Sequence, residues 1–301
     1  MKIAHISDLH LLALDGVPIG RFLNKRFSGW ANLRLKRASV HRAGHAKAIV
    51  AEIARLGFDH VVVTGDLTNL ALEGEFELAR SLIGDALGRD PSSVTVVPGN
   101  HDLYTRGARD SRRFERYFGP WLESDLPELA VDVGGARFPV VKLRGEVAIV
   151  GLSSAVPRPP FIAAGELGNA QTRALARILE HPEVAKRTLV LALHHPVVDD
   201  WSSLKRYVEG LRDAPDLLRL VRPIGKGLIL HGHLHRRIQR GIGTGTMKQV
   251  GATSASLQHE ASDRMAGFNV YGLGSDGSIH IAARVYRPST RSFDIQSVPD
   301  L

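Results

Sequence analysis

Five short polar clusters in this 301-residue chain carry groups that bind divalent cations and move protons. They are Asp8-Leu9-His10, Gly65-Asp66, Gly99-Asn100-His101-Asp102, His194-His195-Pro196 and Gly232-His233-Leu234-His235. They hold carboxylates, one amide and several imidazoles, and the chain has no cysteine. Thiolate ligands and disulfides are therefore excluded, and the oxygen and nitrogen donors that remain suit Mn, Fe, Zn or a similar divalent ion. One carboxylate has two oxygens and can bridge two ions. Two ions about 3.5–4 Å apart can clamp an in-line displacement at phosphorus, stabilising the attacking and leaving oxygens together. Each cluster alone has an ordinary explanation: Asp-x-His as a cap or turn, Gly-Asp as a turn, Gly-Asn-His-Asp as an Asx loop. In Gly-His-Leu-His, alternate residues of an extended segment project the same way. The occurrence of all five in order carries the argument.

Such clusters need elements that bring them to one place. Each sits at or just after the end of a short aliphatic run, at residues 2–7, 60–64, 94–98, 188–193 and 227–230. Near-continuous apolar runs of this length read as strands buried on both faces. Between them, residues 45–56, 73–87 and 169–179 place apolar side chains at helical spacing. The alternation predicts an α/β fold, in which ligands bind outside the carboxyl ends of the strands. Residues 138–143 and 147–152 read as further strands. Residues 247–250, 268–273 and 279–285, separated by Gly-rich pieces, read as antiparallel strands of a second sheet. The prediction is two sheets packed face to face with helices outside, a domain over residues 1–287, and a loosely packed C-terminal tail over 288–301.

The pattern D-x-H, G-D, G-N-H-D, a further His and G-H-x-H resembles the calcineurin-like metallophosphoesterase superfamily, and spans Asp8 to His235. The resemblance implies a four-layer αββα sandwich of two mixed β-sheets flanked by helices, with a dinuclear metal centre between the sheets. Residue by residue, it implies that Asp8, His10 and His235 hold the first ion. Asn100, His194 and His233 hold the second, and Asp66 bridges both. His194 is preferred to His195 because it stands two residues before Pro196, as in the family form. Water activated between the ions is the implied nucleophile, with His101 protonating the leaving group or stabilising the transition state and Asp102 orienting His101. The layout is similar to the cyclic-nucleotide and glycerophosphodiester phosphodiesterases, which makes phosphodiester hydrolysis the leading expectation. His231 reads as packed, and His5, His41, His45, His60, His181, His259 and His280 lack any ligand pattern.

Composition narrows the substrate less. Lys plus Arg is 39 against 31 Asp plus Glu, a net charge of +8, which favours phosphate-bearing partners. No zinc finger, RNA-recognition signature or long basic tail accompanies it, so a nuclease is the weaker alternative. Residues 19–37, IGRFLNKRFSGWANLRLKR, set apolar residues and Trp30 against many basic ones. Such a segment suits peripheral membrane or lipid contact, although Gly29 weakens a continuous helix and packing on the domain is the competing reading. A pyrophosphatase acting on a nucleotide-activated lipid, such as UDP-2,3-diacylglucosamine, is the alternative that this segment motivates. The N-terminus lacks a signal-peptide pattern and no apolar run is long enough to span a bilayer, so the expected location is cytoplasmic.

Overall fold

The computed structural model describes residues 1–22, 26, 41–87 and 90–301. Most of the basic segment at 19–37 therefore lies outside the described residues. In chain order the strands are β1 (Lys2–Ile6), β2 (His60–Val63), β3 (Val94–Val96), β4 (Val131–Val133), β5 (Ala136–Phe138), β6 (Val140–Arg144), β7 (Val147–Gly151), β8 (Thr188–Ala192), β9 (Gly227–His231), β10 (Ile238–Gly241), β11 (Lys248–Gly251), β12 (Gly267–Leu273), β13 (Ile279–Arg287) and β14 (Ser292–Gln296). Two six-stranded mixed sheets result, in the orders β14-β13-β12-β1-β2-β3 and β10-β11-β9-β8-β7-β6, beside a small β4-β5 ribbon. In each large sheet the strands that lead to the polar clusters run parallel: β1, β2 and β3 in the first, β8 and β9 in the second.

The period-2 alternation of a strand builds the layers. On β8, Val190 and Ala192 face the other sheet, while Leu189, Leu191 and, just past the strand, Leu193 face the outer helices. On β1 and β2, Ile3 and Val62 enter the same inter-sheet core, which they share with Leu228, Leu230, Val250 and Tyr271. Ala4, Ile6, Val61 and Val63 turn outward, onto α1 (Ala43–Leu56) and α2 (Glu73–Leu87). On α2, Phe76, Ala79 and Ile83 form the buried stripe, at the spacing of an amphipathic helix. The second sheet is covered by α3 (Gly168–Glu180) and, beyond α4 (Ser203–Glu209), by α5 (Ala214–Val221). Three apolar layers separating helices, sheet, sheet and helices make the four-layer sandwich. No described helix is long and apolar enough to cross a membrane.

The last third departs from the prediction in its partners. β12 and β13 are antiparallel, but they extend the first sheet from the free edge of β1, with Lys2 opposite Gly272. β11 pairs parallel to β9 in the second sheet. Both faces of β12 are apolar, with Phe268 on the outer side and Tyr271 and Leu273 between the sheets, which fits a strand next to the centre of a sheet. Residues expected to form a loose tail are instead the edge of the first sheet. β14 pairs with β13, and Val298 is buried in the inter-sheet core.

Candidate metal centre

The first sheet's three site loops are laced into one platform. Asp8 N–H donates to the Gly65 carbonyl (2.9 Å), His10 N–H to Asp66 (3.0 Å) and Leu11 N–H to Leu67 (3.0 Å). The buried Asp102 carboxylate joins the third loop by accepting from the N–H groups of Gly99 (2.9 Å), Thr68 (3.0 Å) and Leu67 (3.3 Å) and from Thr68 Oγ1 (3.0 Å). The glycines of the clusters are set by close approach: a Cβ on Gly99 would overlap the Asp66 carboxylate, and one on Gly232 would overlap Ser7 Oγ and Asp8 Oδ2. Asp8, His10, Asp66, His233 and His235 all have φ between 46° and 67°. This left-handed region is costly for non-glycine residues, at about 1–3 kcal/mol each, and clusters at functional sites.

These constraints aim two groups of donor atoms at two points. Around the first, His235 Nε2 lies 3.1 Å from Asp8 Oδ1, and His10 Nε2 lies 3.0 Å from His235 Nε2, 3.7 Å from Asp8 Oδ1 and 3.9 Å from Asp66 Oδ2. Around the second, His194 Nε2 is 3.3 Å from the same Asp66 Oδ2 and 3.2 Å from Asn100 Oδ1. His233 Nδ1 is 3.2 Å from Asn100 Oδ1 and 3.3 Å from His194 Nε2. Ligands about 2.0–2.2 Å from a tetrahedral ion stand roughly 3.3–3.6 Å apart, so both groups fit a cation. Asp8 Oδ1 is buried with no hydrogen bond, an arrangement that costs energy unless a cation meets the oxygen. His194 Nδ1 donates to the Thr64 carbonyl (2.7 Å), which turns Nε2 toward the second point.

Electrostatics agree with the geometry. Burial opposes the Asp66 anion, but His194, His101 and His10 outweigh it and hold its carboxyl well below the ordinary range. Asp8 is lowered too, burial being overcome mainly by His235. Burial also works against a charged His194, yet Asp66 and then Asp8 raise that ring to about 9. Burial and neighbouring imidazoles push His10 and His233 well below their ordinary value. Two anions beside the neutral rings of His10 and His233 constitute a site for positive charge, which the His194 proton meets and a metal ion would meet better.

His101 stands beside this centre. Its N–H donates to Asp66 Oδ1 (2.7 Å), its Nδ1 donates to the Asn69 carbonyl (2.6 Å), and its ring packs edge-on to His10 at 5.0 Å. Asp102 does not fill the place expected behind that ring. Its oxygens are spent on the loop amides, so it fixes His101 through the backbone while the Asn69 carbonyl fixes the ring. Both nitrogens of His195 are used elsewhere, Nε2 donating to the Ala163 carbonyl (2.8 Å) and Nδ1 meeting Ser154 Oγ (2.8 Å). Burial, then His194, lowers it to about 3. His5 and His60 bond buried Thr64 and Thr95, and His231 bonds the Gly232 carbonyl. His41 is the exception among the histidines without a sequence pattern. Its ring lies 4.9 Å from His10 and 5.7 Å from His235, and His10, His41 and His235 can offer nitrogens within 4.8 Å of one another. His41 follows no strand. It is brought in by an isolated bridge to Leu257 and by the Arg42 N–H bond to the Ser256 carbonyl (2.8 Å), contacts that no local pattern announces.

Comparison with known proteins gives a matching picture. The chain superposes on a dimetal phosphatase from Danio rerio with a TM-score of 0.60 at 15% identity, covering 99% of this chain and 98% of that one. A purple acid phosphatase from yellow lupin (Lupinus luteus) seeds gives 0.58 at 10% identity, covering 99% of this chain and 53% of the plant protein. A sulfate thiohydrolase from Thermus thermophilus gives 0.54 at 17%, over 98% of this chain and 58% of that one. The chain thus spans little more than half the length of the latter two. At these identities the likeness speaks for the fold. No curated protein matches the sequence. The sequence profile described as calcineurin-like phosphoesterase matches residues 1–237, which take in every cluster described above, and the chain belongs to that family of metal-dependent phosphoesterases.

Proposed function

We propose that the protein is a phosphodiesterase with two metal ions, in which Asp8, His10 and His235 hold one ion, Asn100, His194 and His233 hold the other, and Asp66 is shared. The observation that carries this reading is the pair of donor groups meeting at Asp66 Oδ2, at 3.3 Å from His194 Nε2 and 3.9 Å from His10 Nε2. Bound ions would supply Lewis acidity and an acidified water. The protein's own residues do the rest. The laced loops keep the donors in place without reorganisation during the reaction. His101 is held beside the centre with Nδ1–H on the Asn69 carbonyl, which sets the proton to be passed on at Nε2. As an imidazolium it passes the Nε2 proton to the leaving oxygen as the P–O bond breaks, and Asp102 keeps its loop in register.

Metal-stripped protein assayed on bis-p-nitrophenyl phosphate and p-nitrophenyl phosphate, with and without Mn²⁺, tests this directly. Metal-dependent turnover preferring the diester supports the reading. Preference for the monoester overturns the diesterase assignment. Failure to bind two ions overturns the centre itself.

A further inference from the structure

We propose that α4 and the proline-rich loop at 157–163 form a docking surface for an anionic lipid bilayer, at the rim of the metal centre. The docking itself does not depend on the two-metal reading above.

One helix of the fold does not pack. α1, α2, α3 and α5 each bury an apolar stripe, whereas no residue of α4 is buried. Yet Leu204, Tyr207 and Val208 stand at the spacing that puts them on one side of a helix. Leu204 is 74% exposed and Tyr207 57%. Phe161 is more open still, at 87%. It has a φ of 67°, a left-handed conformation that a bulky residue rarely takes. Prolines at 157, 159 and 160 restrict the chain before it, so a stiff loop holds the ring in the open.

The loop and the helix are one unit. Ala163 N–H donates to the Val208 carbonyl (2.8 Å), Gly165 N–H to the Gly210 carbonyl (3.0 Å) and Arg212 N–H to the Gly165 carbonyl (3.0 Å). The unit is also fixed to the centre. The Ala163 carbonyl accepts from His195 Nε2, one residue after His194. Trp201, two residues before α4, brings its ring within 6.5 Å of the His233 ring.

The chemistry of this surface selects a bilayer over a protein. Lys205 Nζ lies 4.4 Å over the Trp201 ring, and the Arg212 guanidinium 4.7 Å over the Tyr207 ring. The positive charge faces outward: the Arg206 side chain is 48% exposed, while Asp199, its partner, is 7% exposed. Lysine is depleted in the core of protein interfaces. An anionic bilayer takes lysine and arginine at its headgroups, aromatic rings at the same level and aliphatic side chains beneath. Docked in this way, the rim of the centre meets the headgroup layer. The phosphate esters within its reach are then those of lipids, a consequence that does rest on the two-metal reading.

The test is co-sedimentation of the full chain with mixed phosphatidylcholine–phosphatidylglycerol vesicles and with pure phosphatidylcholine vesicles. Binding to the mixed vesicles is expected, weakened by added salt. It should be at least about tenfold weaker in the triple variant Phe161→Ser, Leu204→Ser, Tyr207→Ser, since burying one such side chain is worth that factor. All three side chains are exposed, so the variant should melt like wild type. As a second reading, the emission gained in Phe161→Trp should move to the blue on mixed vesicles. Absence of sedimentation with either vesicle overturns the proposal. So does undiminished binding by the triple variant, including the case in which Trp30→Ser abolishes it and moves the contact to residues 19–37. Equal binding to both vesicles overturns the choice of an anionic surface. Self-association of the wild type that the triple variant lacks would assign the patch to a second copy of the chain instead. Turnover enters none of these readings, so failure of the diesterase assignment is told apart from failure of the docking.

Discussion

The two sheets meet at the same centre but equip it differently. The first supplies both carboxylates and the amide, on Asp8, Asp66 and Asn100. The second supplies only imidazoles, on His194, His233 and His235. The same contrast recurs in the side chains that tie the loops down. At the first sheet, Asp102 accepts from three loop amides, and Glu75 Oε2 accepts from the N–H groups of Leu70 (2.8 Å) and Leu72 (3.1 Å). At the second, neutral glutamines do this work. Gln249 Oε1 accepts from Val197 (2.7 Å) and Val198 (2.8 Å), and Gln171 Oε1 accepts from Ser153 (2.8 Å). Either type of oxygen satisfies a buried backbone N–H group. What differs is that the loops after β2 and β3 rest on carboxylates that titrate, whereas the segments at Val197, Val198 and Ser153 rest on amides that do not.

The largest effect expected of this division is at the one residue both metal points share. Asp66→Ala should lose both ions and fall to the metal-free background rate, read by elemental analysis alongside turnover. A single ion retained with substantial activity would show that the two halves work independently. His101→Ala should keep both ions and lose about 10²–10⁴ in rate on substrates with poor leaving groups. Full activity on such a substrate would remove His101 from the proton path. Gln249→Ala leaves the buried Val197 amide unpaired, at about 1–3 kcal/mol, and the part-buried Val198 amide with it, so its melting temperature should fall by a similar amount at pH 5 and pH 8.

Glu75 offers the opposite dependence. Burial, only partly offset by the loop amides and Arg26, raises its carboxyl to about 7. A raised folded-state value means that its contribution to stability is fully present below the unfolded value near 4.5 and is lost as pH climbs through about 7. Glu75→Gln removes that titration. The variant should gain on wild type between pH 4.5 and 7, by at most about 3 kcal/mol, and hold the gain above. A gain independent of pH would mean that the carboxyl is not titrating in this range.

Much of this was legible in the sequence because it is local. The parallel strands bearing the clusters, the helix at Glu73–Leu87 and the ligand spacing all depend on neighbours a few residues apart. The choice between His194 and His195 needed Thr64, Ala163 and Ser154, each at least 30 residues away. The sheet joined by β12 and β13 was hidden for a related reason, since an apolar strand fits any open edge and only the whole fold says which edges are open. Asp102 was identified but given the wrong neighbour, because sequence adjacency to His101 says nothing about backbone amides in the loop after β2. His41 had no local signal, since it is tied to Ser256 and Leu257, more than 200 residues away in the chain.

The pairing of β1 with β12 has a consequence for how the protein is made. The strand that leads to Asp8 and His10 is synthesised well over 200 residues before the segment at 267–273 that completes one of its edges. The serines that brace Asp8 arrive barely earlier, at 254 and 256. At about 5–20 residues per second, roughly ten seconds or more separate synthesis of the first ligand from that of its support. A nascent chain stalled before residue 254 would present Asp8 and His10 with one edge of β1 unpaired and without the serine that braces the Asp8 carbonyl.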